Sequence, residues 1–234
     1  MVNFVVNKLR KYGIYDSEFI NFLKRNALKI LGRNMKKFGI PCLKKIDEVM
    51  SENGYNYWVD FGTLLGIYRD GNLIKHDFDI DIGLKKVEFN SGLEKVLIKN
   101  GFKKIKEYSA FGEIVEQTWV WNGVHIDLFL YEEDNNSIFA YDFYTNDEAI
   151  YVKVNKNIRK CTNLQARVCY VPKVNVKKIN FKDFMVNVPE NTHEYLEANY
   201  GPNFMTPDDK WDSSLAPNIK NVDNIEMETL IFKG

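Results

Sequence analysis

Apolar residues recur with a helical period over the first fifty residues of the chain. In DSEFINFLKRNALKILGRNMKKFG, residues 16–39, they mostly fall three or four positions apart, with basic residues between them. A second helical pattern runs from about Pro41 to Asn53 and stops at Gly54, a residue type that commonly terminates helices. The pattern predicts two helices in front of the first strand.

The pattern changes to strands after this point. YNYWVDFG (55–62) is aromatic and β-branched, whereas FDIDIGL (78–84) alternates acidic with apolar residues, as a half-buried strand does. TLLGIYRDG between them predicts a short helix, and a longer helix is expected around residues 87–100. GEIVEQTWVW and VHIDLFLY flank Asn122-Gly123, the strongest short hairpin signal.

Beyond residue 131 the pattern weakens. SIFAYDFYT, AIYVKVN and ARVCYVP are typical of short strands or extended loops. PENTHEYLEANYG predicts a helix, with Pro189 near its first turn and Gly201 just past its end, and a turn-rich tail follows. The order of elements predicts an α+β (mixed α/β) fold. We expect a central mixed sheet flanked by helices, with N-terminal helices and an irregular C-terminal extension.

Composition supports a folded, globular chain. Of its 234 residues, 45% are hydrophobic and 27% charged, which argues against a disordered or fibrous protein. Three cysteines without a CxxC pair signal neither a disulfide framework nor a zinc ribbon. The start has too short an apolar run for a signal peptide, and no window approaches 18 consecutive apolar residues. We therefore expect a cytoplasmic protein.

Charge is unevenly distributed although the net charge is zero. Residues 1–46 carry eleven basic and two acidic side chains, a net +9, whereas residues 183–234 carry ten acidic and three basic ones, a net −7. The basic segment is suited to an anionic polymer or to peripheral contact with the inner face of a membrane. A solvated helix face that docks on the acidic end would account for the same charges.

Three aspartates alternate in the strand pattern of residues 78–84 and just before it. Residues two apart in a strand face the same side at about 6 to 7 Å, so Asp79 and Asp81 project together. Two such carboxylates repel each other unless a cation lies between them, and Mg²⁺ or Mn²⁺ suits oxygen ligands that also receive phosphates. Asp127, in the second hairpin strand, supplies a third carboxylate, and Asp77 a further candidate.

The segment before these aspartates is suited to binding phosphate. Gly62-Thr63 ends a strand and begins a helix, where backbone approaches an anion closely. Arg69 offers a bidentate phosphate contact, and Lys75 is a further basic candidate in the same loop. With three carboxylates nearby, this combination favours phosphoryl transfer.

A calcium loop and an exposed acidic strand fit the aspartates less well than a metal-dependent catalytic site. A calcium loop requires glycine at its sixth position, where this chain has Ile82. An exposed acidic strand without a ligand does not account for the apolar residues that alternate with the acids. The pattern therefore favours carboxylates that bind a metal ion.

The motifs resemble those of the LicD/fukutin family of phosphotransferases, which have a nucleotidyltransferase fold. GTLLGIYRDG, then HDFDIDIGL and HIDLFLY, are similar to the family's GTLLG, arginine and alternating-aspartate blocks. The stretch FKDFMVNVPENTHEYLEANYGPNFMTP resembles the family's closing segment, which ends a helix in Tyr-Gly. The matched blocks cover about a third of the chain in the expected order.

The resemblance implies transfer of a phospho-alcohol group from a CDP-linked donor to a glycan hydroxyl on a cell-surface polymer, with release of CMP. Phosphocholine, glycerol phosphate and ribitol phosphate are candidate groups. Asp79, Asp81 and Asp127 are then the metal ligands, with Gly62 and Thr63 at the donor phosphates and Tyr200-Gly201 closing over the site. His76 replaces the usual tryptophan.

The resemblance also divides the chain and limits its cofactors. We expect one domain over residues 1–234, made of a basic helical flank (1–53), a catalytic core (54–131) and a C-terminal substrate-binding part (132–234). The paired cysteines of a zinc-binding insertion found in some animal relatives are absent from the sequence, so no structural zinc is expected.

Two other functions stay open. A nucleotidyltransferase that moves a nucleoside monophosphate from an NTP to a small-molecule hydroxyl would use the same Gly-Thr turn and aspartates. A non-catalytic module that binds an anionic glycan or membrane surface accounts for the basic flank but leaves three acids unused. Nucleic-acid binding is not expected, since no basic and aromatic recognition motif is present.

Overall fold

The computed structural model describes residues 18–144, 149–208, 211–222 and 227–233. Its first element, α1, is a single helix of 35 residues, Glu18–Glu52, with Pro41 inside it. The prediction of two separate helices is therefore wrong. A proline within a helix removes one backbone hydrogen bond, but Met35, Cys42 and Leu43 on either side are buried in the core. This packing outweighs the local break.

The predicted elements of the central segment are present with small shifts at their ends. Strand β1 is Trp58–Val59; helix α2 is Phe61–Leu65 and continues as a π-helical turn, Gly66–Asp70. Strand β2 is Asp79–Lys85, and helix α3 is Ser91–Lys99. Strands β3, β4 and β5 follow as Lys103–Ala110, Glu113–Trp121 and Val124–Glu133. Asn122 and Gly123 both have positive φ, as the predicted hairpin turn requires.

The main sheet is mixed, as predicted. Strand β2 pairs in parallel with β5, and β5 pairs antiparallel with β4. The β2–β5 register places Asp81 opposite Asp127 and Asp79 opposite His125. Since partners in register point to the same face, the two aspartate motifs meet on one side of the sheet.

The C-terminal part is more regular than expected. Strands β6 to β11 are Ser137–Tyr144, Ile150–Lys153, Ile158–Thr162, Gln165–Pro172, Val176–Phe181 and Phe184–Pro189, and helix α4 is Thr192–Tyr200. The tail then adds β12 (Ile219–Val222), which pairs with β9, and β13 (Met227–Phe232), which lies between β3 and β8. The prediction of an irregular extension is wrong for these strands, because their partners are distant in sequence and leave no local signal.

The two faces of β2 and β5 differ in chemistry. Ile80, Ile82, Ile126 and Leu128 are at most 2% exposed and join the core with apolar residues of α1 and α3. The opposite face carries the aspartates. Within the described residues, no helix is long and apolar enough to cross a membrane.

Candidate active site

Asp79, Asp81 and Asp127 lie on the polar face of the parallel strand pair. Asp79 and Asp81 are partly buried and alternate with the buried Ile80 and Ile82, as the sequence predicts. Asp127 is also partly buried and faces Asp81 across the β2–β5 ladder. The topology thus brings the three predicted metal ligands together.

The electrostatics of these carboxyl groups show that they crowd one another. Burial, followed by the charges of Asp127 and Asp77, raises the pKa of Asp79 to about 7. Burial and the charges of Asp79 and Asp127 raise the pKa of Asp81 well above its usual value. Like charges in a partly desolvated site disfavour ionisation, so this face favours a bound cation.

Asp77 belongs to the same cluster. A Cβ built on Gly62 would lie 2.7 Å from Asp77 Oδ2, so glycine leaves room for this carboxylate; Asp81 Oδ2 is 3.6 Å from the same point. Burial raises the pKa of Asp77 to about 6, against the charges of Arg69 and His76. The structure brings Asp77 to the site, although the sequence left its role open.

The turn from β1 into α2 is tied to the aspartate strand. Thr63 is 1% exposed, and its Oγ1 accepts a hydrogen bond from Asp81 N at 2.9 Å. Asp60 N donates to Asp81 O, also at 2.9 Å. Phe61, with φ of 36°, adopts a left-handed conformation that is unusual for a bulky residue. The Thr63 hydroxyl therefore positions Asp81, and its contact with a donor phosphate stays a prediction.

The two predicted basic phosphate ligands differ in position. Arg69 forms a bidentate ion pair with Asp70, at 2.8 and 2.9 Å, and its charge favours the ionised form of Asp77. It thus lies beside the acidic cluster. Lys75 is exposed in the loop before β2 and forms no ion pair with any residue of the described ranges. Its contact with the donor phosphates stays a prediction.

Tyr200 and Gly201 lie at the end of α4, as predicted. Gly201 ends the helix with φ of 81°. Burial raises the pKa of the Tyr200 hydroxyl, and so do the charges of Asp81 and Asp60, which indicates that this ring is near the acids. Its ring centroid is 4.8 Å from that of Trp211. The predicted closing segment therefore adjoins the site.

Sequence reasoning missed Asp60. This residue is fully buried, and its carboxylate accepts hydrogen bonds from Tyr131 Oη at 2.7 Å, Tyr195 Oη at 2.8 Å and Phe61 N at 2.8 Å. Trp58 Nε1 donates to Tyr195 Oη and extends the network. Burial raises the pKa of Asp60 to about 6, and these hydrogen bonds oppose the rise. Its position as the last residue before a helix, where aspartate is a preferred cap, was the available signal.

Glu116 and Lys106 were missed as well. Glu116 is 7% exposed on β4, on the same face as Asp127, and burial together with the charge of Asp127 raises its pKa well above its usual value. Lys106 on β3 favours the ionised forms of Asp79 and Glu116, and its Nζ donates to Tyr108 Oη at 3.1 Å. Glu116 and Thr118, polar residues at alternate positions on the face of β4 that Asp127 shares, were the available signal.

The candidate metal ligands of this site are chemically suited to a hard divalent cation. All the groups concerned are carboxylates, which Mg²⁺ and Mn²⁺ prefer. Burial, followed by mutual repulsion, raises the pKa values of Asp79 and Asp81, and a cation would relieve the repulsion. Among the residues that the structure describes, no three His, Cys, Asp or Glu side chains converge closely enough to hold a metal ion as they stand. Binding a cation requires the carboxylates to turn toward a common point.

Comparison with known proteins assigns the chain to a family. A family model described as LicD/FKTN/FKRP, nucleotidyltransferase domain, matches residues 54–191. This match covers more than half of the chain, which belongs to that family. The resemblance noted in the sequence motifs is confirmed, and the mixed α+β architecture agrees with it.

Similar proteins include two groups of animal transferases. The chain is 23% identical over 200 residues to ribitol-5-phosphate transferase FKTN of Macaca fascicularis, covering 85% of this chain and 40% of that protein. It is 26% identical over 174 residues to ribitol 5-phosphate transferase FKRP of Mus musculus, covering 69% of this chain and 32% of that protein. The chain thus spans at most about 40% of the length of these relatives.

A solved structure with distant likeness is the lincosamide antibiotic adenylyltransferase LnuA with lincomycin bound. The sequence identity is 15% and the TM-score 0.38, over 64% of this chain and 78% of that one. A likeness of this size carries no functional argument.

Proposed function

We propose that this protein transfers a phospho-alcohol group from a CDP-linked donor to a hydroxyl group of a cell-surface glycan, with release of CMP. One observation carries the proposal: Asp79, Asp81 and Asp127 share one sheet face in a member of the LicD/FKTN/FKRP family. The names of its relatives, ribitol 5-phosphate transferases, support a polyol phosphate as the transferred group.

The chain's own residues supply most of what such a transfer needs. The acceptor oxygen forms a bond to the phosphorus distal to cytidine while the bond from that phosphorus to the CMP oxygen breaks. Gly62 leaves space for the Asp77 carboxylate, and Thr63 holds the Asp81 strand in place. Arg69, beside Asp77, is available to the donor phosphates. A carboxylate, Asp77 or Asp127, receives the proton of the attacking hydroxyl.

Mg²⁺ or Mn²⁺ is the cofactor in this proposal, and Asp79, Asp81 and Asp127 would hold it. When bound, the cation neutralises the diphosphate charge of the donor. The chemistry of the all-carboxylate donor set supports this assignment.

A donor screen tests the proposal. The purified protein is incubated with Mg²⁺ and CDP-choline, CDP-glycerol, CDP-ribitol or CDP-ethanolamine, and CMP release is measured together with thermal stabilisation by each donor. We expect one donor to stabilise the protein most and to release CMP. Pyrophosphate release from CTP or another NTP, without CMP release from any CDP-alcohol, would instead support the nucleotidyltransferase alternative.

We also propose a cytoplasmic location with peripheral contact at the inner face of the cell membrane. Phe22, Leu28 and Ile30 of α1 are about half exposed, and the exposed cations Arg25 and Lys29 lie among them. Apolar side chains with interspersed cations suit an anionic lipid surface. We expect co-sedimentation with vesicles rich in phosphatidylglycerol, weakened by salt and by the triple change of these apolar residues to serine. Equal binding to neutral vesicles would contradict the proposal.

A further inference from the structure

A cavity lies at the edge of the sheet, next to strand β12. Its volume is about 550 Å³, and its lining residues are Arg167, Asp212, Ser213, Ser214, Ile219 and Asn221. They come from β9, β12 and the short 3₁₀ turn Ser213–Leu215. None of them belongs to the motifs that define the family site, so the cavity is separate from the proposed metal and phosphate ligands.

The cavity has an ordered polar wall. Arg167 is 9% exposed; its Nη2 pairs with Asp142 and donates to Ser213 Oγ at 3.2 Å. Asp212 Oδ1 accepts hydrogen bonds from Ser214 N at 2.9 Å and from Ser214 Oγ at 2.5 Å. These contacts hold the strand and the turn in a fixed relation, so the cavity is lined by oriented donors and acceptors.

The chemistry of the lining points to a neutral ligand that is rich in hydroxyl groups. One cation, already paired with Asp142, and one carboxylate give little net charge, which does not suit a phosphate. Five of the six lining residues are polar or charged and the sixth is Ile219, which suits a ligand with several polar groups. Guanidinium, carboxylate, amide and hydroxyl groups together bind neighbouring hydroxyl groups as donors and acceptors.

The cavity is also close to the proposed reaction centre. Trp211, which directly precedes Asp212, packs against Tyr200 with ring centroids 4.8 Å apart, and burial followed by the charge of Asp81 raises the pKa of Tyr200. On the other side, Asp142 interacts electrostatically with Glu116, the buried neighbour of Asp127. The Trp211–Tyr200 ring contact thus joins the residue before the cavity to the end of α4, where the charge of Asp81 acts.

We propose that the cavity between β9, β12 and the Ser213–Leu215 turn is a subsite for a chain or ring of neighbouring hydroxyl groups. This chemistry belongs both to the polyol of a CDP-linked donor and to the acceptor sugar. The inference rests on the proposed transfer, because that reaction brings such groups to the site. The inference adds the position in the fold at which the donor polyol or the acceptor sugar is bound.

The cavity is tested through Asn221, whose exposed side chain lines it. Asn221→Ala removes a hydrogen-bonding group, and Asn221→Trp fills the space. Lys220→Ala is the matched control, since Lys220 directly precedes Asn221 in the same strand and its side chain lies over Tyr170. Equal melting temperatures for all three variants and the parent check that the edge strand is intact.

Two binding measurements distinguish the sources of the hydroxyl groups. Calorimetry with Mg²⁺ compares CDP, CDP-glycerol and CDP-ribitol, and saturation-transfer NMR probes galactose, glucose and N-acetylgalactosamine. If the donor polyol occupies the cavity, CDP-ribitol binds the parent about tenfold more tightly than CDP, the worth of one or two hydrogen bonds. Asn221→Trp then abolishes this advantage and leaves CDP binding unchanged.

If the acceptor sugar occupies the cavity, CDP-ribitol and CDP bind alike, and a sugar signal disappears in Asn221→Trp but not in Lys220→Ala. The proposal is overturned if no polyol advantage and no sugar signal depends on Asn221. A failure of the transfer proposal has a different result, because CDP itself would then not bind and no donor would release CMP. A sugar signal lost in Asn221→Trp would still support the cavity in that case.

Discussion

Two buried acidic regions lie side by side in this molecule, and their partners differ. Asp60 is fully buried, but three hydrogen-bond donors surround its carboxylate. Asp79 and Asp81 are partly buried, and the main charges that face them are other carboxylates. A satisfied buried acid contributes to the fold, whereas crowded acids repel one another and oppose it.

The difference separates a structural acid from the acids that we propose are functional. Proteins retain a repulsive cluster at a cost in stability when a ligand uses it, so perturbed and unsatisfied groups concentrate at functional sites. Asp60 supports the site structurally. Its backbone N–H donates a hydrogen bond to Asp81 O, and its side chain caps α2. The comparison therefore predicts opposite effects for removing the two kinds of acid.

The largest effect is expected from Asp79→Asn and Asp81→Asn. Each removes a proposed cation ligand, so transfer should fall at least about 1,000-fold, or about 4 kcal/mol. The melting temperature should stay equal or rise, because a repulsive charge is lost. Glu133→Gln, at the exposed end of β5, is the control and should keep full activity. Normal turnover in either aspartate variant would contradict the assignment.

Removing Asp60 should have the opposite profile. Asp60→Ala leaves two buried tyrosine hydroxyls and a helix N terminus without their acceptor, so the free energy of unfolding should fall by about 3 kcal/mol. Denaturant unfolding measures this loss. Asp134→Ala, in an exposed loop, should change stability by less than about 0.5 kcal/mol. An Asp60→Ala protein that is as stable as the parent but inactive would place Asp60 among the functional acids.

Gly62→Ala tests how closely the turn after Asp60 approaches the Asp77 carboxylate. The new Cβ would lie 2.7 Å from Asp77 Oδ2, so the carboxylate must move. A displacement of this kind should reduce kcat/KM about 10- to 100-fold with little loss of stability. Gly32→Ala is the control, because its Cβ would meet only the Phe78 ring at 3.5 Å. An unchanged kcat/KM in Gly62→Ala would contradict the close approach of Gly62 and the Asp77 carboxylate.

The sequence predicts these two acidic regions unequally well. Asp79 and Asp81 follow from a period of two within a single strand, and Gly62-Thr63 from a local turn signal. The proximity of Asp79 and Asp81 to Asp127 depends on the parallel pairing of β2 with β5, which the family resemblance supported. Asp60 was missed because its partners, Tyr131 and Tyr195, are 71 and 135 residues away.

The same reason accounts for the errors in the fold. β13 lies between β3 and β8, so its pairing depends on contacts across much of the chain rather than on its own pattern. Pro41 is a strong local breaker, but buried residues on both sides keep α1 continuous. Tertiary packing decided both cases, and a single sequence does not record it.

The smallest expected effect is a dependence of the free energy of unfolding on pH and Mg²⁺. A pH titration with and without Mg²⁺ distinguishes the crowded carboxylates from Asp60. Burial raises the pKa of Asp77 to about 6 and of Asp79 to about 7, from 3.8. Between the unfolded pKa of 3.8 and these raised values, the folded state therefore binds more protons than the unfolded state. The free energy of unfolding should fall as pH rises from about 4 to about 7. Denaturant unfolding across this pH range, without metal, measures the fall.

Mg²⁺ should remove only part of this dependence. A bound cation stabilises the ionised cluster, so at pH 7.5 it should restore the stability lost through Asp77 and Asp79. Asp60, whose pKa of about 6 gives a slope of the same sign, has tyrosine partners and should not respond to the metal. The Mg²⁺ effect should therefore vanish in Asp77→Asn/Asp79→Asn while a shallower slope persists. If Mg²⁺ stabilised this double variant as much as the parent protein, the crowded carboxylates would not be the cation site.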